Sequence, residues 1–356
     1  MKIIDAYIGQ NVLAGIFIVL IVLVGLFVFF SFIEEVDDIG KQSYDTWQAL
    51  QYVLLEIPQH IYDLLPTAVL LGSLLGLGSL ANNSELVVIR ASGVSIGRIA
   101  FATMKMGLSL TLVGMMIGEI FAPQTVQHAR NMRAVAQSEQ NYVSFNRRYG
   151  FWARDGHNFI NIRTILIDGG FGGATLYELD DHRRIHTITH ANIVYYQGGQ
   201  WLLEQAEQDH ITAQQVVIEH LPRTTWKAIL SPELVSNVII DPYKLSSLGL
   251  YKHIDYLKKN EQNSAKYELA FWTRLSYPLV SIAMIFIAIP FVFGSLRTVS
   301  IGQRVLVGAL LGIGFYMLNQ MASNFALVYE INPLVSALLP PLTFLGLATF
   351  LFQRII

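Results

Sequence analysis

Residues 11–33 read NVLAGIFIVLIVLVGLFVFFSFI, with no charged side chain from end to end. Wound as a helix, the run exceeds the roughly 30 Å hydrocarbon core of a bilayer. It is too long for the apolar stretch of a secretory signal, and no small-residue cleavage site follows it. It therefore reads as a retained membrane span, and the rest of the chain is read from it.

Five further apolar runs of spanning length follow, so the six cover about 12–33, 64–80, 99–121, 275–293, 305–325 and 334–352. Lys105 and Glu119 fall inside the third. Each lies near an end, where a long side chain reaches the interface. The whole chain of 356 residues is 53% hydrophobic and 14% charged, with mean hydropathy +0.44. Soluble domains carry about 25% charged residues, and a pure bundle would be greasier still, so the average describes a mixture. A net charge of −2 offers no basic field for nucleic acid. The absence of cysteine removes disulfides and thiol-based metal or nucleophile chemistry.

Basic residues sort to one side of the spans. Lys2 precedes the first; Arg90 and Arg98 lie between the second and third; Arg297 and Arg304 lie between the fourth and fifth; Arg354 follows the sixth. The opposite side carries EEVDDIGKQSYD (34–45), with four acids before its lone lysine. The positive-inside rule makes both termini cytoplasmic and the insert between spans three and four extracytoplasmic. A bacterial inner membrane with a periplasmic domain fits.

The insert has another texture. FWARDGHNFINIRTILI, GATLYELDDHRRIHTITHANIVYYQGGQWLLEQAEQ and AQQVVIEHLPRTTWKAIL are β-branched and aromatic runs broken by Asp-Gly and Gly-Gly signals. That pattern predicts an antiparallel sandwich or roll. QTVQHARNMRAVAQSEQ reads as an outward continuation of span three, and SSLGLYKHIDYLKKN as an amphipathic helix leading back to span four. The expected fold is a six-span α-helical membrane protein with an inserted periplasmic all-β, jelly-roll-like domain. Its parts are 1–121 (spans 1–3, with a short helix at about 82–92), 122–270 (the β domain with flanking helices) and 271–356 (spans 4–6). The 3+3 layout shows no clear internal repeat.

No motif for turnover is present. Gly40-Lys41 lacks the upstream glycine of a phosphate-binding loop, and G-x-S-x-G and H-E-x-x-H are absent. His182, His186 and His190 recur every four residues. In a strand, adjacent members stand about 13 Å apart, too far for one metal ion, so they read as sheet-surface histidines. The central portions of the spans lack ionisable groups, which argues against an ion-coupled carrier. Asn319 and Gln320, deep in a span, read as helix–helix glue.

ANNSELVVIRASG (81–93) carries its own helix signals: Asn83 or Ser84 to cap, Glu85 at the positive dipole end, Gly93 to stop. Leu86, Val87, Ile89 and Arg90 would present a mixed apolar and charged surface. Resting on the membrane and docking into a partner's groove both remain open for it. Arg130 and Arg133 share a helix face two to three turns beyond Phe121. They read either as solvent-facing charge or as a site for anionic oxygens of a lipid headgroup.

SELVVIRASG, GEIFAPQTVQHARNMRA, FWARDGHNFINI and YELAFWTRLSYPL, in this order, resemble the LptF/LptG family, permease subunits of lipopolysaccharide export in Gram-negative bacteria. The match runs essentially end to end, and the SELVV and YELxxW segments lie nearer the LptG branch than its LptF sister. The resemblance implies an LptF–LptG heterodimer on a homodimer of the ATPase LptB, which binds the ATP and magnesium; the chain itself is not an enzyme and carries no cofactor or metal. It implies that 82–92 is a coupling helix inserting into the ATPase, with Ser84, Glu85, Leu86 and Arg90 as contacts. It implies that the β domain passes lipid toward LptC and LptA, and that spans one and five gate a cavity taking lipopolysaccharide from the outer leaflet. Arg130 and Arg133 match the basic pair at the cavity mouth. Leu26, Phe30, Ile33, Phe315, Leu318 and Phe325 are the candidate cavity and gate residues. One feature departs: Glu34, Glu35, Asp37 and Asp38 line the outer end of span one, where acids repel phosphate unless they are paired. The rival readings are a β domain tethered by its spans and a membrane enzyme acting on lipid. Six spans exceed what a tether needs, and no paired catalytic constellation supports the second.

Overall fold

The computed structural model describes residues 2–136, 142–144, 151–155, 158–166, 170–180, 182, 184–197, 200–212, 214–226, 241–294 and 299–354. Arg297 and the turn glycines Gly156, Gly169, Gly198 and Gly199 lie outside them. The chain opens with α1 (Lys2–Val36), α2 (Thr46–Asn82), α3 (Glu85–Ala91) and α4 (Ile96–Met116), followed by a π-turn (Ile117–Phe121) and α5 (Ala122–Ala136). Seven strands follow: β1 (Tyr142–Ser144), β2 (Phe151–Asp155), β3 (Asn158–Leu166), β4 (Phe171–Leu179), β5 (Ile185–Gln197), β6 (Gln200–Ile211) and β7 (Val216–Trp226). A 3-10 turn (Pro242–Lys244) leads to α6 (Ser247–Lys259), α7 (Ala265–Leu275), α8 (Tyr277–Phe293), α9 (Ile301–Val328) and α10 (Pro333–Gln353).

Five helical stretches are long and apolar enough to cross a membrane, and α7 with α8, bent by 49° between them, makes a sixth. All six apolar runs of the sequence fall within these helices. The α4–α5 stretch is continuous through the π-turn, as the outward continuation of span three requires. α1 packs along α2 backbone to backbone. Gly72 and Gly76 form a small-xxx-small seam that admits Ile16 and Val12 of α1, both fully buried. A methyl placed on Gly76 would lie 2.6 Å from the Asn11 carbonyl oxygen and 2.7 Å from the Val12 Cα. α8 is buried on most sides among α2, α4 and α10, whereas α9 and the second half of α1 leave broad apolar faces uncovered.

The strands form one antiparallel sheet in the order β1-β3-β4-β5-β6-β7, with β2 also on β3. Its register follows side-chain alternation: Ile160, Ile162, Leu176, Ala191, Val194, Trp201 and Leu203 face one core. Tyr256 and Leu257 of α6 complete that core, so the return helix belongs to the sheet as well as to the spans.

Candidate functional site

At the end of the bundle that carries α3, one short helix stands out from the surface. Ser84 precedes it with φ +61°, and its carbonyl accepts from the amides of Val87 and Val88 at 3.1 and 3.2 Å. The expected side-chain cap from Ser84 is not formed; its left-handed backbone departs from the extended geometry that a capping residue takes. Glu85 instead accepts from the Tyr7 hydroxyl (2.7 Å) and the Asn83 amide (3.2 Å), tying the helix to the start of α1. Gly93, at φ +91°, ends the helix as expected: its amide bonds Arg90 O, and the next amide, Val94, reaches back to Ile89 O. This Schellman closure turns Ile89 and Val94 into the core. Leu86, 4% exposed, is buried there too, while Val88, 67% exposed, points out with Val87 and Arg90. The outward surface is thus Val87, Val88 and Arg90 beside exposed Ser84, with Leu86 and Ile89 as its root.

Arg304, fully buried, braces the same end. It donates to Gly78 O and to Asn82 Oδ1, each at 2.7 Å, and so pins the start of α9 to the last turn of α2. Asp5 and Arg98 join the starts of α1 and α4 through a fork of two 2.9 Å bonds.

Leu26, Phe30 and Ile33 lie on the uncovered face of α1, and Phe325 on that of α9. Phe315 and Leu318 are half-buried and turned toward the bundle; Phe315 meets Phe344 of α10 edge to face at 5.1 Å. Asn319 is half-buried, and Gln320 bonds Asn324 on its own helix.

At the opposite end, Glu35 and Asp38 of the α1–α2 turn are paired within the chain. Arg133 pairs with buried Glu35 at 3.0 Å and with Asp38, and its guanidinium lies 5.2 Å from the Tyr52 ring centroid. Lys41 also pairs with Asp38. The Tyr44 hydroxyl donates to Glu35 at 2.8 Å; burial and that carboxylate push the phenol above its ordinary range. Glu34 and Asp37 remain exposed. Arg130 and Arg133 share α5, but Arg133 is spent on fastening α5 to the turn.

Sequence reasoning left Glu119 at the membrane interface as a lone side chain. In the structure Glu119 lies in the π-turn, where it accepts from Arg274 Nε at 2.6 Å and from Ser247. Their separation of 155 positions is invisible to any local pattern. On the sheet, His186 and His190 lie on β5 with His182 in the preceding turn; His190 Nδ1 lies 3.0 Å from the Thr175 hydroxyl. No group of three metal-ligating side chains is gathered among the described residues.

A family model described as "Lipopolysaccharide export system permease LptF/LptG" matches residues 6–354. The chain is 36% identical over 352 residues to a Haemophilus influenzae protein named lipopolysaccharide export system permease protein LptG, covering 98% of both chains. It is equally identical to the LptG protein of Escherichia coli K12, over 99% of this chain and 98% of that one.

Proposed function

The chain belongs to the LptF/LptG family of lipopolysaccharide export system permeases, and from that premise we propose that it is the LptG-type subunit of an ATP-driven lipopolysaccharide exporter in the bacterial inner membrane. Its halves are 1–121 and 271–356, with both termini cytoplasmic, and 122–270 is periplasmic. It pairs with LptF on an LptB homodimer, which binds ATP and magnesium, and hands lipid through its β domain toward LptC and LptA.

The observation that carries the proposal is the build of α3. A helix of two turns needs a reason to exist, because so short a segment is unstable without tertiary anchorage. Leu86 and Ile89 provide the anchorage, and they leave Val87, Val88 and Arg90 as a rigid outward foot. An apolar pair flanked by a guanidinium suits an apolar groove with an acidic rim. Force on the foot reaches α1 through Glu85 and Tyr7 and reaches α9 through Asn82 and Arg304. Both helices carry uncovered apolar faces, so the foot is tied to both edges of the half-cavity. Leu26, Phe30 and Ile33 with Phe325 form its gates; Phe315 and Leu318 back the wall.

The cavity holds acyl chains by burial, worth about 0.8 kcal/mol per methylene. A lipid with several chains does not leave such a site unaided. The stroke supplies what is missing by pressing the two faces together. Arg130 meets an anionic oxygen of the headgroup, while Arg133 pairs with Glu35 and Asp38 of the acidic rim.

The test is co-purification from native membrane with identification of partners and bound lipid. The proposal expects an ATPase, a homologous second permease and a glycolipid in stoichiometric amounts. Recovery of the chain alone and lipid-free would leave the tethered-domain reading in its place.

A further inference from the structure

Arg274 is almost completely buried at the end of α7, two residues before the 49° bend into α8. Its Nε donates to Glu119, and its two terminal nitrogens donate to the carbonyls of Gly118, in the π-turn, and Leu245, just before α6. The guanidinium carbon lies 4.9 Å from the Tyr62 ring centroid on α2. That ring stacks on Tyr277 at 4.4 Å, and the Tyr277 hydroxyl donates to Tyr62 O at 2.6 Å. One side chain thus joins its own span to two others and to the root of the return helix.

Glu119 continues the connection. Its carboxylate accepts from the Ser247 amide at 2.8 Å and the Ser247 hydroxyl at 2.7 Å, gripping the first turn of α6 where the helix dipole favours an anion. The far end of α6 lies in the sheet core, and the Tyr256 hydroxyl donates to Arg154 O of β2 at 2.7 Å. Lys258 returns to Glu268 of α7 at 2.8 Å. α6 is therefore a strut fixed at one end to the bend and the π-turn, and at the other to the sheet.

We propose that Arg274 is a positioning residue for transport: it locks the joint through which rearrangement of the spans moves the β domain. The inference rests on the lipid-export reading. A planar guanidinium fork holds several acceptors in one fixed geometry, which apolar packing cannot do. Removing one member of a buried ion pair strands the other, so Arg274→Met lowers the melting temperature as well as opening the joint. Both breaks in regular α-geometry at this level, the π-turn and the bend, are held by this side chain, and such breaks are where helices re-register.

The experiment uses the assembled transporter in proteoliposomes. The chain has no cysteine, so Ser109→Cys on α4 and Glu219→Cys on β7 accept one spin label each. With Arg274 intact the label distance is narrow and shifts when nucleotide is added. In Arg274→Met it broadens and stops responding, and lipid released per ATP hydrolysed falls about tenfold, the scale of a typical coupling energy; the ATPase rate is retained. Glu119→Gln, which keeps the shape and loses the charge, gives the same change in smaller degree, and it carries the test if Arg274→Met does not assemble. An unchanged distance distribution and unchanged lipid-to-ATP ratio overturn the proposal, as does a proportional fall of ATPase and transport with the distance still narrow. If the unmodified complex releases no lipid with ATP, the export reading fails, while the distance measurement still judges the joint.

Discussion

Val88 and Leu86 sit two residues apart on α3 and should respond to substitution in opposite ways. Leu86 is rooted in the bundle, so Leu86→Ala should lower the stability of the isolated chain by about 2–5 kcal/mol through lost burial and an unfilled cavity. Val88 is 67% exposed, so Val88→Asp should change the isolated chain by no more than about 0.5 kcal/mol. Docking reverses the ranking. If the foot enters an apolar groove, Val88→Asp loses one buried valine and desolvates a carboxylate, together about 3 kcal/mol. That is roughly a hundredfold weaker association with the ATPase. Thermal unfolding in detergent reads the first quantity, and titration of the chain with its permease partner against labelled ATPase reads the second. A Val88→Asp protein that binds the ATPase with unchanged affinity refutes the orientation of the foot. So does one that melts as early as Leu86→Ala. Glu85→Lys is a less clean probe, because it also breaks the bond to Tyr7.

Gly76→Ala should lower the melting temperature by forcing α1 and α2 apart, at a cost of about 1–3 kcal/mol; Gly25→Ala, with nothing within 4 Å of the added carbon, is the control and should not. Arg133→Ala should destabilise the chain by leaving Glu35 buried and unpaired, and Glu35→Gln on that background should restore part of the loss; a double-mutant cycle with no coupling contradicts the pairing. Burial lowers His253, packed against Tyr256 and Tyr267, from 6.5 to about 4. The folded state then binds the proton less well than the unfolded one. Stability is full above pH 6.5 and falls by up to about 3 kcal/mol as pH drops toward 4. His253→Phe should flatten that part of the curve of melting temperature against pH, and an unaltered curve would count against the burial argument.

The fold was legible where the information is local. Six apolar runs became five long helices and one bent pair, β-branched and aromatic runs became strands, and the Schellman glycine closed α3 where it was expected. The orientation of α3 was not legible. Leu86, Val87 and Ile89 are equally apolar, and only the packing of α2 and α4 beneath them decides which face turns in. The acidic rim was readable as a charge pattern, but the pairing of Glu35 and Asp38 with Arg133 depends on α5 lying beside the α1–α2 turn, 95 positions away in sequence. Arg274 and Glu119 were hidden for the same reason. Each is a single charge flanked by apolar residues, and it is their pairing across the inserted domain that gives them meaning.

The central claim is that this permease has no fuel-burning chemistry of its own and takes force through the foot on α3. Its most direct test is ATP-dependent release of glycolipid from proteoliposomes holding the chain, its permease partner and the ATPase. The account predicts release only with all three subunits and hydrolysable nucleotide, and its loss in Val88→Asp. Release by the chain alone, or nucleotide hydrolysis by the purified chain, would contradict it.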